Sequence, residues 1–307
     1  MPAISFLDGG LGQEINKRSS RSNSHPLWSM QVMIEFPEIV IAVHKEFILA
    51  GSCVVTANNY VATPIRLKEY GYGDKFFEIH QLAFELVERA IAEAYEDCSD
   101  NIKLNIAGCL PPLVASYDAS VALNEKDSYD HYCNLVAAQI NYADVFLVET
   151  MSNITEAKAA IAALKAAGEK CFISLSISDD LSNNLRSGES LEEAIDILGA
   201  EGLDGLCLNC SRPETIDEAL PLLKASGIRF GGYANAFMSV EALTPKTTVD
   251  ILKSRNDMTI SAYADFALGW AAKGATIIGG CCEISPEHIA FSHEALCNAG
   301  YQPTTLV

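Results

Sequence analysis

Three cysteines in two distant segments are the residues of this sequence best suited to carry chemistry. Cys281 and Cys282 follow a Gly-Gly pair that ends one apolar run, and Cys210 ends the comparable run 205–210. Adjacent cysteines are poorly placed to bridge each other, whereas two thiolates that follow a flexible Gly-Gly turn can converge on one soft metal ion such as Zn²⁺. A Cys₃ set leaves the fourth coordination position open, which is typical of a catalytic zinc site.

The other seven cysteines have a simpler interpretation. A lone cysteine in an apolar segment is usually a small buried hydrophobe, because cysteine is among the most often buried residue types. We therefore predict a core role for Cys53, Cys98, Cys109, Cys133, Cys171, Cys207 and Cys297. Ten cysteines at irregular spacing indicate reduced thiols and metal binding rather than a disulfide scaffold.

Length and composition indicate one large, well-packed domain. The chain has 307 residues, of which 49% are hydrophobic and 20% charged, and this size suits a single closed α/β barrel. We see no apolar run of the roughly 18 residues that a membrane span needs, and no secretory signal, so we expect a cytoplasmic protein. The 40 acidic residues outnumber the 21 basic ones and give a formal charge of −19, which argues against a nucleic-acid partner.

Short apolar runs alternate with amphipathic stretches along the whole chain. Near-continuous apolar strands separated by helices are typical of a parallel sheet, and eight such units predict a single (β/α)₈ TIM barrel over residues 1–307. The alternative, an open doubly wound sheet, calls for a Gly-rich phosphate loop after the first strand, which residues 8–12 match poorly. The predicted strands are 4–8, 53–56, 104–108, 145–149, 171–176, 205–210, 230–234 and 276–280. The predicted helices are 37–50, 76–95, 129–142, 154–167, 190–198 and 215–225.

Polar residues cluster where these strands end. In a TIM barrel the functional groups sit at the carboxyl ends of the strands, so the side chains at these positions should meet on one rim. Each of them also has a plain structural interpretation, such as a helix cap, an ion pair or packing. The residues concerned are Asp8, Thr56, Asn58, Tyr60, Glu149, Thr150, Asn209, Cys210, Tyr233, Asn235, Cys281 and Cys282.

The sequence resembles the homocysteine S-methyltransferase family over essentially its whole length. The resemblance rests on Leu-Asp-Gly-Gly at 7–10, Pro-Leu-Trp-Ser at 26–29, Thr-Ala-Asn-Asn-Tyr at 56–60, Val-Glu-Thr at 148–150, Leu-Asn-Cys at 208–210 and Ile-Gly-Gly-Cys-Cys at 278–282. The resemblance implies that Cys210, Cys281 and Cys282 are the zinc ligands. It also implies that Asp8 and Glu149 surround the amino-acid part of homocysteine, and that Thr56 and Tyr60 line the same pocket. We include Asn209, which precedes a ligand, among the expected substrate-binding residues.

Two segments depart from the family pattern. Glu283 follows the paired cysteines where many relatives continue with glycine, and 108–112 reads Gly-Cys-Leu-Pro-Pro instead of the Ser-x-Gly-Pro type of run. These differences leave the zinc assignment untouched and bear on which donor and acceptor the enzyme uses.

The expected reaction is the transfer of a methyl group from a small onium donor to the thiol of homocysteine, giving methionine. A thiol with a pKa near 8.5 is mostly protonated at neutral pH, and binding to Zn²⁺ removes that proton. The Pro-Leu-Trp-Ser match favours S-methylmethionine as donor; betaine, S-adenosylmethionine or another methyl sulfonium are alternatives, as is a related thiol or selenol acceptor. We also weigh a zinc hydrolase, which usually draws on His and carboxylate ligands, and a non-enzymatic zinc or thiol sensor.

The segment 17–29, rich in Ser, Arg and Asn, follows the first strand and should therefore lie over the rim. A plain surface loop is one interpretation. The other is that Trp28 offers a cation–π contact to the donor while the segment excludes water. We expect small-molecule partners only, with a homo-oligomer left open.

Overall fold

The computed structural model describes residues 1–19, 25–97, 103–243 and 251–307, and its central feature is a ring of short parallel strands. The strands are Ala3–Phe6 (β1), Val54–Thr56 (β2), Asn105–Leu110 (β3), Val145–Met151 (β4), Phe172–Leu175 (β5), Gly205–Asn209 (β6), Phe230–Ala234 (β7), Ile277–Gly280 (β8) and Gln302–Thr304 (β9). Successive strands along the chain are neighbours from β2 to β8, and β8 pairs in parallel with β1.

The ring closes between β1 and β2. An isolated parallel bridge joins Leu7 to Val54, with Asp8 N donating to the Val54 carbonyl at 3.1 Å and Cys53 N to the Phe6 carbonyl at 2.8 Å. This closure and the parallel pairing confirm the predicted (β/α)₈ barrel. The predicted strands agree with the observed ones to within two residues at each end, and 230–234 agrees fully.

Strand β9, which pairs in parallel with the outer edge of β1, has no counterpart among the predicted strands. The chain beyond it turns under the barrel, where the backbone N–H groups of Leu306 and Val307 both donate to Asn105 Oδ1. Arg229 donates to the Leu306 carbonyl and to Ser5 Oγ in the same region. The amino-terminal mouth of the barrel is therefore filled by the end of this chain.

Helices surround the ring. Side-chain caps explain several of their starts: Asn124 accepts from Asp127 N and begins a helix earlier than the predicted 129, and Asn153 accepts from Glu156 N. The helices are Leu11–Arg18 (α1), Trp28–Glu35 (α2), Pro37–Leu49 (α3), Pro64–Glu69 (α4), Phe76–Asp97 (α5), Glu125–Gln139 (α6), Ile154–Ala167 (α7), Leu191–Gly199 (α8), Pro213–Ala225 (α9), Ile260–Lys273 (α10) and Pro286–Asn298 (α11).

Buried side chains form two layers. The larger layer lies between the strands and the helices, and a smaller cluster fills the barrel interior with Leu7, Val54, Leu147, Phe172 and Ile277 among its members. Burial on both faces is why the strands read as continuous apolar runs. Within the described residues, no helix combines the length and the apolar character needed to cross a membrane.

Candidate metal centre and substrate pocket

One pocket opens at the carboxyl ends of the strands, and all nine predicted site residues line it. The set comprises Asp8, Trp28, Thr56, Tyr60, Glu149, Asn209, Cys210, Cys281 and Cys282. The barrel thus collects residues from segments that are up to 274 positions apart (282 minus 8). Their roles stay predictions, and the local geometry shows what each side chain is able to do.

The three sulfurs predicted to bind metal meet at one side of the pocket. The ligand atoms of Cys210, Cys281 and Cys282 all lie within 4.8 Å of one another. Cys210 and Cys281 form a disulfide, and Cys282 Sγ lies 3.6 Å from Cys210 Sγ. Their strands are tied together, because Cys210 N donates to the Tyr233 carbonyl and Cys281 N to the Ala234 carbonyl, two consecutive residues of β7.

This donor set fits a thiophilic ion. Among the described residues the cluster consists of three cysteine sulfurs, a donor set that selects Zn²⁺ over hard cations, and all three cysteines line the pocket. Burial raises the pKa of the Cys282 thiol to about 11, so a bound cation would have to displace its proton. Metal uptake requires all three thiols reduced, since a bridged pair offers no thiolates.

The Gly-Gly pair before Cys281 has a different role from the predicted flexible turn. Gly279 and Gly280 lie within β8, and neither has a positive φ. A Cβ on Gly279 would lie 2.5 Å from Leu7 Cβ, and one on Gly280 would lie 2.4 Å from Ile284 Cγ2. The pair is therefore needed for close packing against β1 and the following turn, not for flexibility.

The left-handed residue of this turn is Glu283, with φ 66°. The family resemblance implies glycine at this position in many relatives, and glycine is the residue that such a conformation favours. Here the Glu283 carboxylate accepts a hydrogen bond from Ser254 Oγ at 2.9 Å and forms an ion pair with Lys17 Nζ at 3.5 Å. These two contacts hold the glutamate in a conformation that costs about 1–2 kcal/mol in general.

Two buried carboxyl groups face the pocket. Burial, followed by the nearby Glu149 charge, raises the pKa of Asp8 to about 8, although Thr56 N donates to Asp8 Oδ2 at 2.8 Å and opposes the shift. Burial also raises the pKa of Glu149. Carboxyl groups that are costly to ionise when alone are well suited to bind a cationic group, because an ammonium ion compensates both charges.

Cys109 is buried, as predicted, and it also lines this pocket, which the sequence interpretation did not foresee. The Cys109 thiol donates to Glu149 Oε2 at 3.1 Å, and burial raises the pKa of Cys109 well above its usual value. The predicted third strand stopped at Gly108, one residue before this position, whereas β3 continues to Leu110. Cys109 therefore sits at a strand end, and the rule applied to the other strands would have identified it.

Among the remaining cysteines, Cys53, Cys171 and Cys207 are buried as predicted. Cys297 is exposed on α11, so the core prediction for it is wrong, and Cys133 is half-buried. Cys98 lies outside the described residues.

Tyr117 touches the sulfur cluster and was missed by the sequence interpretation. Its hydroxyl donates to Cys210 Sγ at 3.0 Å, its φ is 67°, and the Arg186 guanidinium lies 5.1 Å from its ring centroid. The hydroxyl is placed to stabilise negative charge on sulfur. No motif marked this residue, because it lies in an irregular segment after β3.

The mouth of the pocket carries aromatic side chains. The Tyr60 hydroxyl is hydrogen-bonded to Ser116 Oγ at 2.7 Å. Trp28 begins α2 and packs closely on α1, since a Cβ on Gly12 would lie 2.5 Å from Trp28 Cη2. Pro26, Trp28 and Ser29 line the pocket, as the rim prediction for 17–29 requires, while residues 20–24 of that segment lie outside the described part.

Comparison with known proteins agrees with this geometry. A sequence model described as homocysteine S-methyltransferase matches residues 5–296. The selenocysteine Se-methyltransferase of Brassica oleracea is 26% identical over 95% of this chain and 88% of its own length. The homocysteine S-methyltransferase of Escherichia coli is 28% identical over 94% of this chain and 93% of its own.

Solved structures share the fold. The oxidized form of the homocysteine methyltransferase MmuM from Escherichia coli superposes with a TM-score of 0.80 at 25% identity, covering 97% of this chain and 96% of that one. Its metallated form gives 0.78 at 23% identity, with 94% and 95% covered. The match over nearly the full chain shows that this protein belongs to the homocysteine S-methyltransferase family.

Proposed function

We propose that this protein transfers a methyl group from a small onium donor, S-methylmethionine in the first instance, to the thiol of homocysteine, giving methionine. The observation that carries the proposal is the convergence of three cysteine sulfurs on the same pocket as a buried pair of carboxyl groups. Sulfur chemistry and recognition of an ammonium group are thereby brought together, as a thiol-bearing amino acid requires.

Cys210, Cys281 and Cys282 would hold Zn²⁺, which when bound supplies a deprotonated acceptor thiol that remains nucleophilic. Tyr117 supports this arrangement through its hydrogen bond to Cys210 Sγ. The cytoplasm suits such a site, because its reducing conditions keep the three thiols free.

Asp8 and Glu149 would bind the ammonium group of the acceptor. In the substrate-free protein the raised pKa values of Asp8 and Glu149 favour protonation of the pair, which therefore carries less than its full charge of −2. An ammonium group stabilises the ionised carboxylates and fixes the direction in which the amino acid enters the pocket. The Thr56 N–H and the Cys109 thiol hold the two carboxyl groups in place.

The donor would lie on the outer side of the acceptor sulfur, near Trp28. A cationic methyl donor gains a cation–π contact there and is attracted by the acidic pocket. The acceptor sulfur forms a bond to the methyl carbon as the donor's sulfur–methyl bond breaks, and that bonding pair leaves with the donor as a neutral thioether. Exclusion of water favours this step, because the anionic and cationic charges are neutralised together.

The test is a transfer assay with a donor and acceptor panel. Zinc-loaded protein is mixed with homocysteine and, separately, S-methylmethionine, S-adenosylmethionine, betaine or dimethylsulfoniopropionate, and methionine is measured. We expect turnover with S-methylmethionine, and Cys281→Ala should abolish it. Selenocysteine is included as a second acceptor, with Se-methylselenocysteine as the product measured, because a relative is named for it. Absence of methionine with every donor, in protein shown to hold zinc, would refute the proposed reaction.

A further inference from the structure

Arg66 is the one Lys or Arg side chain among the described residues that line the pocket. The other ionisable groups there are acidic residues, thiols and tyrosines, in a chain that carries a net charge of −19. A cation in such surroundings calls for an explanation. Arg66 lies in α4, whose cap Thr63 accepts a hydrogen bond from Arg66 N at 3.2 Å.

The guanidinium group is positioned by backbone carbonyls of the segment after β3. Nε donates to the Val114 carbonyl at 3.0 Å, and Nη2 donates to the Pro112 carbonyl at 3.3 Å. Thr63 Oγ1 donates to the Leu113 carbonyl at 2.7 Å, which fixes α4 against the same segment. The side chain is therefore held in one orientation before any ligand arrives.

The Arg66 guanidinium forms no direct ion pair with an Asp or Glu in the described part of the chain. Glu69 follows one turn later in α4 and lines the same pocket. The Glu156 carboxylate accepts hydrogen bonds from Leu113 N and Asn153 Nδ2, and its charge acts on Arg66 without a direct contact. Burial lowers the pKa of Arg66, and the Glu156 charge opposes this shift without cancelling it.

Both N–H groups of Nη1 have no acceptor among the described residues, although a guanidinium carries five donors. Arg66 lines the pocket. A pre-oriented arginine in the same pocket as the acidic pair Asp8 and Glu149 offers opposite charges to one ligand, which is the arrangement that a zwitterion requires. Arginine binds carboxylates particularly well because its planar fork matches their two oxygens.

We propose that Arg66 binds the carboxylate of an α-amino-acid substrate and thereby selects substrates that carry that group. The inference rests on the proposed function, in which the acceptor homocysteine and the donor S-methylmethionine both carry an α-carboxylate. Asp8 and Glu149 recognise the ammonium end of a substrate and Arg66 its carboxylate end.

The experiment pairs each substrate with an analogue that lacks only the carboxylate. The acceptor arm compares homocysteine with 3-aminopropane-1-thiol, and the donor arm compares S-methylmethionine with (3-aminopropyl)dimethylsulfonium. Each pair is measured with wild type, Arg66→Gln, Arg66→Lys and the control Lys68→Met, which removes an exposed charge from the same helix. Arg66→Gln keeps donors for the two carbonyls and removes the charge.

In one arm, loss of the carboxylate should lower kcat/KM about 10- to 100-fold in wild type and in Lys68→Met, but less than about threefold in Arg66→Gln. Arg66→Lys should recover part of the discrimination. The arm that shows this coupling identifies whether acceptor or donor is bound. Equal losses in wild type and Arg66→Gln in both arms would overturn the proposal, since a purely structural arginine affects both members of a pair alike.

A binding measurement separates this proposal from the proposed reaction. Calorimetry measures the affinity of zinc-loaded protein for the two acceptors and, separately, for the two donors. These affinities do not depend on turnover. Carboxylate-dependent binding that disappears in Arg66→Gln would support the role of Arg66 even if no methyl group were transferred. Binding that ignores the carboxylate in wild type would refute it.

Discussion

Asn209 and Thr150 exchange two hydrogen bonds across the carboxyl end of the barrel, although β5 separates their strands. Thr150 N donates to Asn209 Oδ1 and Asn209 Nδ2 donates to Thr150 Oγ1, both at 2.9 Å. Thr150 follows Glu149 and Asn209 precedes Cys210, so the pair links the proposed ammonium site to the proposed metal site. Thr150 and Cys210 have φ values of 60° and 50°, a conformation that the surrounding contacts must maintain.

The first prediction concerns this link. Asn209→Ala leaves the buried Thr150 N–H unpaired and should weaken zinc affinity about tenfold while raising the KM for homocysteine, because it supports both groups. The control is Asn153→Ala, which removes the cap of α7 and should cost about 1 kcal/mol of stability without changing zinc affinity. Competitive zinc titration and steady-state kinetics provide the measurements. If Asn209→Ala and Asn153→Ala had the same zinc affinity and the same KM for homocysteine, the link would be structural only.

The second prediction concerns metal content. Protein purified under reducing conditions should contain about one Zn²⁺ per chain, and Cys210→Ala, Cys281→Ala and Cys282→Ala should each lose most of it and nearly all activity. Cys207→Ala, which changes a cysteine of β6 that lies in the barrel interior three residues before Cys210, should keep its zinc. Elemental analysis measures the zinc content per chain in each variant. Full zinc occupancy in the double variant Cys281→Ala, Cys282→Ala would end the assignment.

The third prediction concerns Glu149. Glu149→Ala should raise the homocysteine concentration needed for half-maximal rate and lower turnover, because the substrate ammonium loses a buried partner. Zinc content should be unchanged, which elemental analysis checks in the same preparation. Kinetics identical to wild type would assign Glu149 to structure.

The fourth prediction concerns the pH dependence of stability. The folded-state pKa of Asp8 is raised to about 8 from 3.8, so the folded protein binds more protons than the unfolded chain between these values. The free energy of unfolding should therefore fall as pH rises from about 4 to 8 in substrate-free protein. Asp8→Asn removes this contribution and should flatten the decline, whereas Asp130→Asn, at the surface, should not. Urea unfolding across this pH range measures the free energy of unfolding. Parallel plots of this free energy against pH for wild type and Asp8→Asn would contradict the assignment.

The fifth prediction concerns Trp28. Trp28→Ala should weaken use of the methyl donor by roughly tenfold, on the scale of one cation–π contact, with little effect on zinc. Trp28→Phe keeps an aromatic face and should lose less. The KM and kcat for the donor are compared at saturating homocysteine, with circular dichroism to verify folding. Unchanged donor kinetics in a folded Trp28→Ala protein would make the segment before α2 a connector.

The sequence by itself determined the barrel and singled out the three cysteines that we propose as metal ligands. Burial of each strand on both faces leaves a continuous apolar run, and helical periodicity appears between the runs, so both signals are local. The carboxyl ends of parallel strands share one rim, which is why Asp8, Glu149 and Cys210 could be grouped before any distance was known.

Only the tertiary structure decided the rest, because those features depend on contacts between distant segments. Cys109 became a pocket residue through its contact with Glu149, and Tyr117 through its contact with Cys210, and neither contact leaves a pattern in the sequence. The role of Gly279 and Gly280 as packing residues required the position of β1 and the next turn. In the sequence Arg66 is an ordinary residue of a short helix, and only the structure shows that it lines the pocket and that the segment after β3 holds its guanidinium group.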